Sequence, residues 1–448
     1  MNHQKRGDLP PRQMALAGFM LSDPVVHSHA VWRHPQTRSH FLDPDYYLEV
    51  ARTLEDSCFD LLFFADRLAV GDQAGQSRAR SFELGSQDAT RLDPLPILSL
   101  LAGHTKHIGL GLTRSTTYYQ PPHVARAIAT LDHLSRGRSA WNIVTSMNDS
   151  EARLFGHQRH LAHAQRYARA DEFVELVLKL WNSWQPDALV LDKANGILAN
   201  PQRIDTFTHQ GDFFSCEGPL NIPRVPQGQP VLIQAGASGR GRQFGARWAE
   251  VIFSINSRVE RMLEFRQDIH HQMRSFGRDP QDCKILTAVM PFIGGTEAEA
   301  ARKRDEHNAL AAPELGLITL STQSNFDFTQ FPLDMRLHEI AALPDTPDVV
   351  AQKLRLEANV SLEQYGAVMA SSIRVPQLAG TAETVAQQLI DWLEQGACDG
   401  YVVSPAYLPG TFTEFAESVV PLLQRRGYLR TAYEHSTLRG HLGLKEFA

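Results

Sequence analysis

The sequence predicts a closed barrel of eight parallel strands alternating with helices, a TIM-type (β/α)8 fold carrying long insertions. Three observations lead there. Eight short apolar runs recur along the chain, helical patterns or helix-start signals stand between them, and polar residues gather just after several of the runs. In such a barrel the C-terminal ends of the strands meet in one mouth, where polar side chains do chemistry. The 448 residues exceed the roughly 250 that a barrel needs. The expectation is one barrel domain over residues 1–448, with insertions near 67–93, 185–229 and 311–380.

The elements follow in order. Met14 to Leu21 is the first run, and Asp43-Pro44 then opens a helix with Tyr47, Val50, Leu54 and Cys58 on one face. Leu61 to Ala65 is the second strand and ends at Asp66. A polar loop runs on to about Arg91, before Pro94 starts a helix. Ile108 to Thr113 is the third strand, and Pro121-Pro122 starts the helix through Leu134. From Leu131 to Ser146 that helix ends, turns on Gly137 and feeds a fourth strand, Ser139 to Val144. Ala164 to Trp184 is a long amphipathic helix, and the Pro, Gly and Asp punctuation of 185–229 suggests an inserted hairpin. Val231 to Ala235, Val251 to Ile255, Ile285 to Ile293 and Tyr401 to Ser404 complete the eight. Residues 311–380 break the rhythm and read as a lid-like insertion, with helical pieces around 348–358.

Composition narrows the function. With 43% hydrophobic and 21% charged residues the chain is an ordinary globular protein with an ample core. A net charge of −6 gives no footprint for nucleic acid or an anionic membrane, so a diffusible small molecule is the expected partner. Cys58, Cys216, Cys283 and Cys398 form no Cys-x-x-Cys pair, which argues against zinc and disulfides and for a reducing cytoplasm. Lys5, Arg6 and Arg12 ahead of Met14 to Leu21 imitate a secretory leader, but the run is short and Asp23-Pro24 follows it. No apolar run approaches the roughly 20 residues that span a bilayer.

The sharpest local signal is Gln234 to Gly241, a run of small residues between a strand and a helix. Gly236, Ala237 and Ser238 would let backbone amides approach a phosphate at the helix N-terminus, with Arg240 or Arg242 as counter-charge; a plain turn explains the glycines as well. The Walker pattern is absent. Gly236, Gly239 and Gly241 are also misplaced for the dinucleotide fingerprint, which favours a mononucleotide over NAD. Asp66 ends the second strand, Thr113, Ser115 and Thr116 end the third, and Asn142 lies near the end of the fourth. Each is placed to meet a ligand, and each also suits an ordinary cap. Tyr118 and Tyr119 could stack on a ligand or simply pack. Among nineteen histidines no metal motif appears. His27 and His29, after the first strand, are the candidates for a catalytic role. No hydrolase elbow is present, so demanding chemistry would fall to an organic cofactor.

Several segments together resemble the bacterial luciferase-like flavin monooxygenases, in the group that includes nitrilotriacetate, dibenzothiophene-sulfone and long-chain alkane monooxygenases. They are His29 to Pro35, Phe59 to Val70, Ser115 to Tyr118 with Ala125-Arg126, Leu131 to Ser146, Arg166 to Phe173, Gly211 to Asn221, Gln234 to Ser238 and Leu423 to Gly427. The resemblance implies a barrel that binds reduced FMN, delivered by a separate NAD(P)H-dependent flavin reductase, and uses O2 to oxidise a small organic substrate at a C–N, C–S or C–H bond. It implies that Asp66, Ser115 or Thr116, and Asn142 border the flavin ring. Tyr167, Ala237 and Ser238 would reach the phosphate or ribityl chain beside the amides of Gly236. It also implies a homo-oligomer, dimer or tetramer. Met147 stands where some members carry an aromatic residue or histidine, so no catalytic histidine transfers to that position. Two rival readings share the barrel: a deazaflavin-dependent oxidoreductase, and a flavin-binding protein without turnover.

Overall fold

The computed structural model describes residues 12–447 apart from Ser39, Ala237 and Ala358. Lys5 and Arg6 therefore lie outside the described residues. Eight parallel strands close on themselves: β1 (Ala15–Leu21), β2 (Leu61–Ala65), β3 (Gly109–Ser115), β4 (Ser139–Val144), β5 (Val231–Gln234), β6 (Val251–Ser254), β7 (Lys284–Ile293) and β8 (Gly400–Val403). Each of β1 to β7 pairs with the next in chain order, and β8 pairs with β1 to complete the ring. These are the eight runs read from the sequence. Their apolar, nearly unbroken composition reflects a sheet buried on both faces, by side chains within and helices without.

Parallel register sets the interior. A methyl group added at Gly111 would lie 3.2 to 3.5 Å from Leu61, Phe63 and Ile233, so these residues share the inner face and the glycine makes room for the larger ones. Phe19, Phe63 and Phe253 form an aromatic layer across the barrel, with ring centroids 5.6 and 4.9 Å apart. Helix starts obey the sequence signals. Asp43 and Asp93 accept hydrogen bonds from the backbone N–H of Asp45 and Leu95, with Pro44 and Pro94 in the first turn.

The N-terminal end of the barrel is closed by the C-terminal segment. Arg439, almost wholly buried, forms two hydrogen bonds to the Glu250 carboxylate at 2.6 and 2.9 Å and one to the carbonyl of Gln229. Asp132 accepts from Ser139 N and Oγ and from Gln227 Nε2, which pins the start of β4. Gly137 has φ +87°, a left-handed turn that joins helix Pro121–Ser135 to that strand.

Both long insertions hold more structure than the sequence pattern indicates. Residues 185–229 contain two antiparallel hairpins rather than one: Leu189–Asp192 with Ile197–Ala199, and Phe207–Gln210 with Ser215–Gly218. Residues 311–380 contain helices Pro313–Ser324, Leu337–Ala341, Asp348–Arg355 and Leu362–Ser372. They end in a strand, Gln377–Gly380, that pairs with the outer half of β7. Helix Pro313–Ser324 escapes periodicity because Leu315 to Thr322 are all buried, leaving no polar face to mark a period. It packs so closely on Leu362–Ser372 that a methyl at Gly316 would fall 1.8 Å from the Gly366 carbonyl oxygen.

Replacing Arg439 by Met should leave the buried Glu250 carboxylate without its counter-charge, keeping only the Leu232 N–H, and cost about 3–5 kcal/mol of stability. A urea unfolding midpoint unchanged from the wild type would show that this clasp does not hold the barrel end.

Candidate active site

The C-terminal ends of β3, β4 and β5 lie side by side, with Thr113 opposite Asn142 and Asn142 opposite Ile233. Asn142 Nδ2 donates to Thr113 Oγ1 at 2.9 Å, and Thr113 Oγ1 in turn donates to the carbonyl of Phe64 at 3.3 Å. That direction fixes the amide. Its Oδ1 is then a buried acceptor with no partner among the described residues, an arrangement that costs free energy unless a ligand or water donates to it.

Ser115 and Ser146 join β3 to the loop after β4 through an Oγ to Oγ hydrogen bond of 3.0 Å, and Ser146 Oγ lies 3.2 Å from the Glu151 carboxylate. Thr116 is spent on architecture, since its N–H and hydroxyl both bond the carbonyl of Val144. Beyond β5, Ser238 caps helix Gly239–Trp248 by accepting from Gly241 N at 3.0 Å. Gly236 N donates to Gln234 Oε1 at 2.6 Å. Gly241 leaves room for its neighbours, since a methyl there would lie 2.9 Å from Tyr167 Oη and 3.0 Å from Ser238 Oγ. Tyr167 is buried and hydrogen-bonded to Ser238 and Thr145. Ala237 lies outside the described residues.

The expected counter-charges are engaged elsewhere: Arg240 pairs with Asp171 and Arg242 with Asp268. The cation at the site is instead Arg166. It donates to the carbonyl of Ser146 and keeps a buried Nε without a partner among the described residues. His163 Nε2 lies 3.5 Å from Ser238 Oγ. Sequence reasoning passed over both, although the spacing His163, Arg166, Tyr167 puts them on one face at the start of helix His163–Trp181.

Asp66, just beyond the end of β2, takes part in a charge network. Arg114 reaches Asp66 at 3.3 Å and Asp93 at 2.5 Å, while Arg91 reaches Asp23 at 2.8 Å and Asp88 at 3.2 Å. Burial raises the Asp66 carboxyl to about 6 and that of Asp23 to about 7, against the pull of these arginines. The network ties residues 67–93 to the barrel rim.

The two histidine candidates part company. His27 enters the barrel mouth, stacked at 3.9 Å on Phe19 and bonded through Nδ1 to Ser404 Oγ at 2.7 Å. His29 faces the insertion, with Nδ1 on the carbonyl of Ala370 at 3.2 Å and Nε2 on Thr319 Oγ1 at 2.9 Å. Burial lowers their pKa to about 3 and about 4, so both imidazoles are neutral near pH 7. From the far side of the mouth, Asn325 accepts from Asp149 N and donates to the carbonyl of Met147, while Asp327 accepts from Gly75 N. The insertion thus lies over the loops that follow β1, β2 and β4. Among the described residues no three His, Cys, Asp or Glu side chains gather as a metal ion would require.

Residues 25–399 match the family described as luciferase-like monooxygenase. The chain belongs to that family. It is 47% identical over 440 residues, 97% of each chain, to dibenzothiophene-sulfone monooxygenase of Rhodococcus erythropolis. It is 39% identical to N-acetyl-S-(2-succino)cysteine monooxygenase of Bacillus subtilis (strain 168) and 38% identical to nitrilotriacetate monooxygenase component A of Aminobacter aminovorans, again over 97% of each chain. Among solved structures, a riboflavin lyase with modified FMN and riboflavin superposes with a TM-score of 0.88 at 32% identity, covering 97% of this chain and 96% of that one. A long-chain alkane monooxygenase superposes with a TM-score of 0.85 at 32% identity, covering 96% and 95%. None of the helices among the described residues is long and apolar enough to cross a membrane.

The neutral histidines carry a pH signature. Once unfolded, His27 and His29 titrate near 6.5, while in the fold they stay neutral to about 3 and about 4. Their contribution to stability is therefore fully present above about pH 6.5 and drains away as pH falls toward 4. Histidine NMR titration should show no inflection for His27 between pH 5 and 8; one near 6.5 would contradict its burial in the mouth.

Proposed function

We propose that this protein is the oxygenase component of a two-component system, binding reduced FMN across the barrel mouth. The observation that carries the reading is the buried, unpaired Oδ1 of Asn142, one strand away from a helix N-terminus dressed with Ser238, Tyr167, His163 and Arg166. The donor and acceptor chemistry fits FMN. Asn142 Oδ1 would accept from a ring N–H, and Ser115 would lie along the ring edge. The Ser238 hydroxyl, the first amides of helix Gly239–Trp248 and Arg166 would hold the phosphate. The riboflavin lyase neighbour, whose structure contains a modified FMN, supports the choice of flavin. When bound, reduced FMN supplies the two electrons that let O2 deliver one oxygen atom to the substrate and the other to water.

The chain's own part is to bind, orient and exclude water. Phe19, Phe63 and Phe253 give the mouth an apolar floor, and the helices of residues 311–380 cover it. His27, held neutral and oriented by Ser404, offers its remaining ring nitrogen, Nε2, as a hydrogen-bonding group for the substrate. His29 positions the cover rather than touching the substrate. The absence of a dinucleotide fingerprint in Gly236 to Gly241 supports reduction of the flavin elsewhere, by a separate NAD(P)H-dependent reductase. An aromatic floor suits a flat, apolar substrate, and two of the relatives above are named for organosulfur compounds. We therefore place the oxidised bond at carbon–sulfur.

Asn142→Ala should weaken FMN binding by about 1–3 kcal/mol, roughly 5- to 150-fold in Kd, by fluorescence titration; an unchanged Kd would remove Asn142 from the ring edge. Ser238→Ala should weaken FMN more than riboflavin, whereas equal losses would leave Ser238 with only its capping role. Oxygen uptake with a flavin reductase and a panel of aryl sulfones, thioethers, aminopolycarboxylates and alkanes should yield oxidised product from the sulfur compounds. Turnover confined to the other classes would overturn the carbon–sulfur assignment, and no flavin-dependent oxygen transfer with any of them would argue against the oxygenase reading.

A further inference from the structure

At the end of the barrel opposite the mouth, an open cavity of about 310 Å³ lies where the starts of β1 and β7, the turn into β8 and the C-terminal segment meet. Its wall carries three cations, Arg12, Lys284 and Arg430, together with the Asp399 carboxylate. That carboxylate is fully engaged. Each of its oxygens accepts from Arg266 at 2.9 Å, Oδ2 also accepts from Ile285 N at 2.8 Å, and Arg12 pairs with Oδ1. Arg430 has its own counter-charge in Asp60, 2.7 Å away. Lys284 has none. Among the described residues no carboxylate lies within ion-pair distance of its ammonium, neither Asp282 two positions before it nor Glu434 on the exposed rim. Arg12, Arg266 and Lys284 thus set three positive charges around the one negative charge of Asp399, an excess of two. Burial holds the half-buried Lys284 ammonium below its ordinary pKa, and Arg12 and Arg266 push it the same way. On the same wall Arg430 Nε and His441 Nδ1 are buried without partners, although Arg430 Nη2 donates to the carbonyl of His441 at 2.7 Å and His441 Nε2 lies 3.0 Å from that of His107.

We propose that this cavity binds a dianionic oxyanion, inorganic phosphate or the phosphate group of a small metabolite, seated on Lys284 and Arg12 at the closed end of the barrel. Charge selects the class of ligand. A cation withdrawn from water without a partner costs free energy, and a dianion cancels the excess of two, where chloride or a single carboxylate would cancel half of it. The donors suit it as well. Lysine offers a compact point charge, and Arg12, with one nitrogen on Asp399, keeps its other N–H groups unbonded among the described residues. The cavity has room for a phosphate with a small organic group attached. This site is separate from the mouth, because Arg12 and Lys284 stand at the starts of β1 and β7 whereas Asn142 and Ser238 stand at or beyond the ends of β4 and β5. Its effect is on stability: an anion held there joins the chain ahead of β1 to β7 and the C-terminal segment, so binding favours the closed barrel.

The test is calorimetric titration and thermal unfolding of the full chain with phosphate, with glycerol 3-phosphate and with sodium chloride at equal ionic strength, for wild type, Lys284→Met, Lys284→Gln and Ser238→Ala. Phosphate or its ester should raise the wild-type Tm above the chloride control. Both Lys284 variants should weaken that binding by at least about tenfold, while Ser238→Ala leaves it intact. Methionine keeps the length of the lysine stem without its charge, so in chloride Lys284→Met should keep the wild-type circular dichroism and melt at or above the wild type. Tighter binding of the ester than of phosphate supports the proposal with a metabolite as occupant, and equal binding supports it with the free ion. Equal rises in Tm with phosphate and chloride would overturn it. So would Lys284 variants that both melt well below the wild type in chloride, since the lysine charge would then already be balanced. Binding lost in Ser238→Ala but kept in the Lys284 variants would move the anion to the mouth and overturn the proposal too. The readouts involve neither FMN nor O2, so this site and the assignment of the mouth can fail separately.

Discussion

The parallel pairing of β3, β4 and β5 is the constraint on which the site depends. Because Thr113, Asn142 and Ile233 stand in register on the inner face, the Asn142 amide nitrogen reaches a threonine hydroxyl and its oxygen is left over. Side chains alternate across a strand, so a slip of one residue would turn Asn142 out toward the helices. The barrel enforces the register through its closed ring of hydrogen bonds. Asp132 holds the start of β4 and the Arg439–Glu250 clasp holds the end opposite the mouth.

Burial then decides the electrical state of the mouth. His27 and His29 lose their solvation without gaining a carboxylate partner, so both stay neutral and serve as hydrogen-bonding groups. Asp23 and Asp66 are buried too, but arginines face them, and the carboxyls are raised only to about 7 and about 6. His27 stacks on Phe19 in apolar, neutral surroundings, while ion pairs from Asp23 and Asp66 fasten residues 67–93 to the same rim. Both features suit a site that must exclude water while keeping its loops in place.

The insertions divide the remaining labour. Residues 311–380 attach to three different mouth loops through His29, Asn325 and Asp327, and their first and last helices touch backbone to backbone at Gly316 and Gly366. Residues 185–229 send one hairpin back onto the barrel, where Glu172 receives His209 Nε2 and the amides of Phe213 and Phe214. The other hairpin stands away from the barrel, with its aliphatic side chains exposed.

The sequence alone determined the eight strands and their order, because a strand buried on both faces must be written in apolar residues and its helices in capped, periodic ones. It also marked Asn142, Ser115 and Gly236 to Ser238 as candidates, polar and small residues that follow or close such strands and that also suit caps and turns, while Tyr167 entered only through the family resemblance. It did not reveal helix Pro313–Ser324, whose all-round burial erases the period, nor the second hairpin, where short strands lie among turn residues. Only the tertiary structure decided the rest. Thr116 was committed to Val144, Asp66 to Arg114, and Arg240 to Asp171, while His163 and Arg166 were brought up to Ser238. A side chain's partner in these cases lies tens of residues away along the chain, and only folding brings the two within hydrogen-bonding distance.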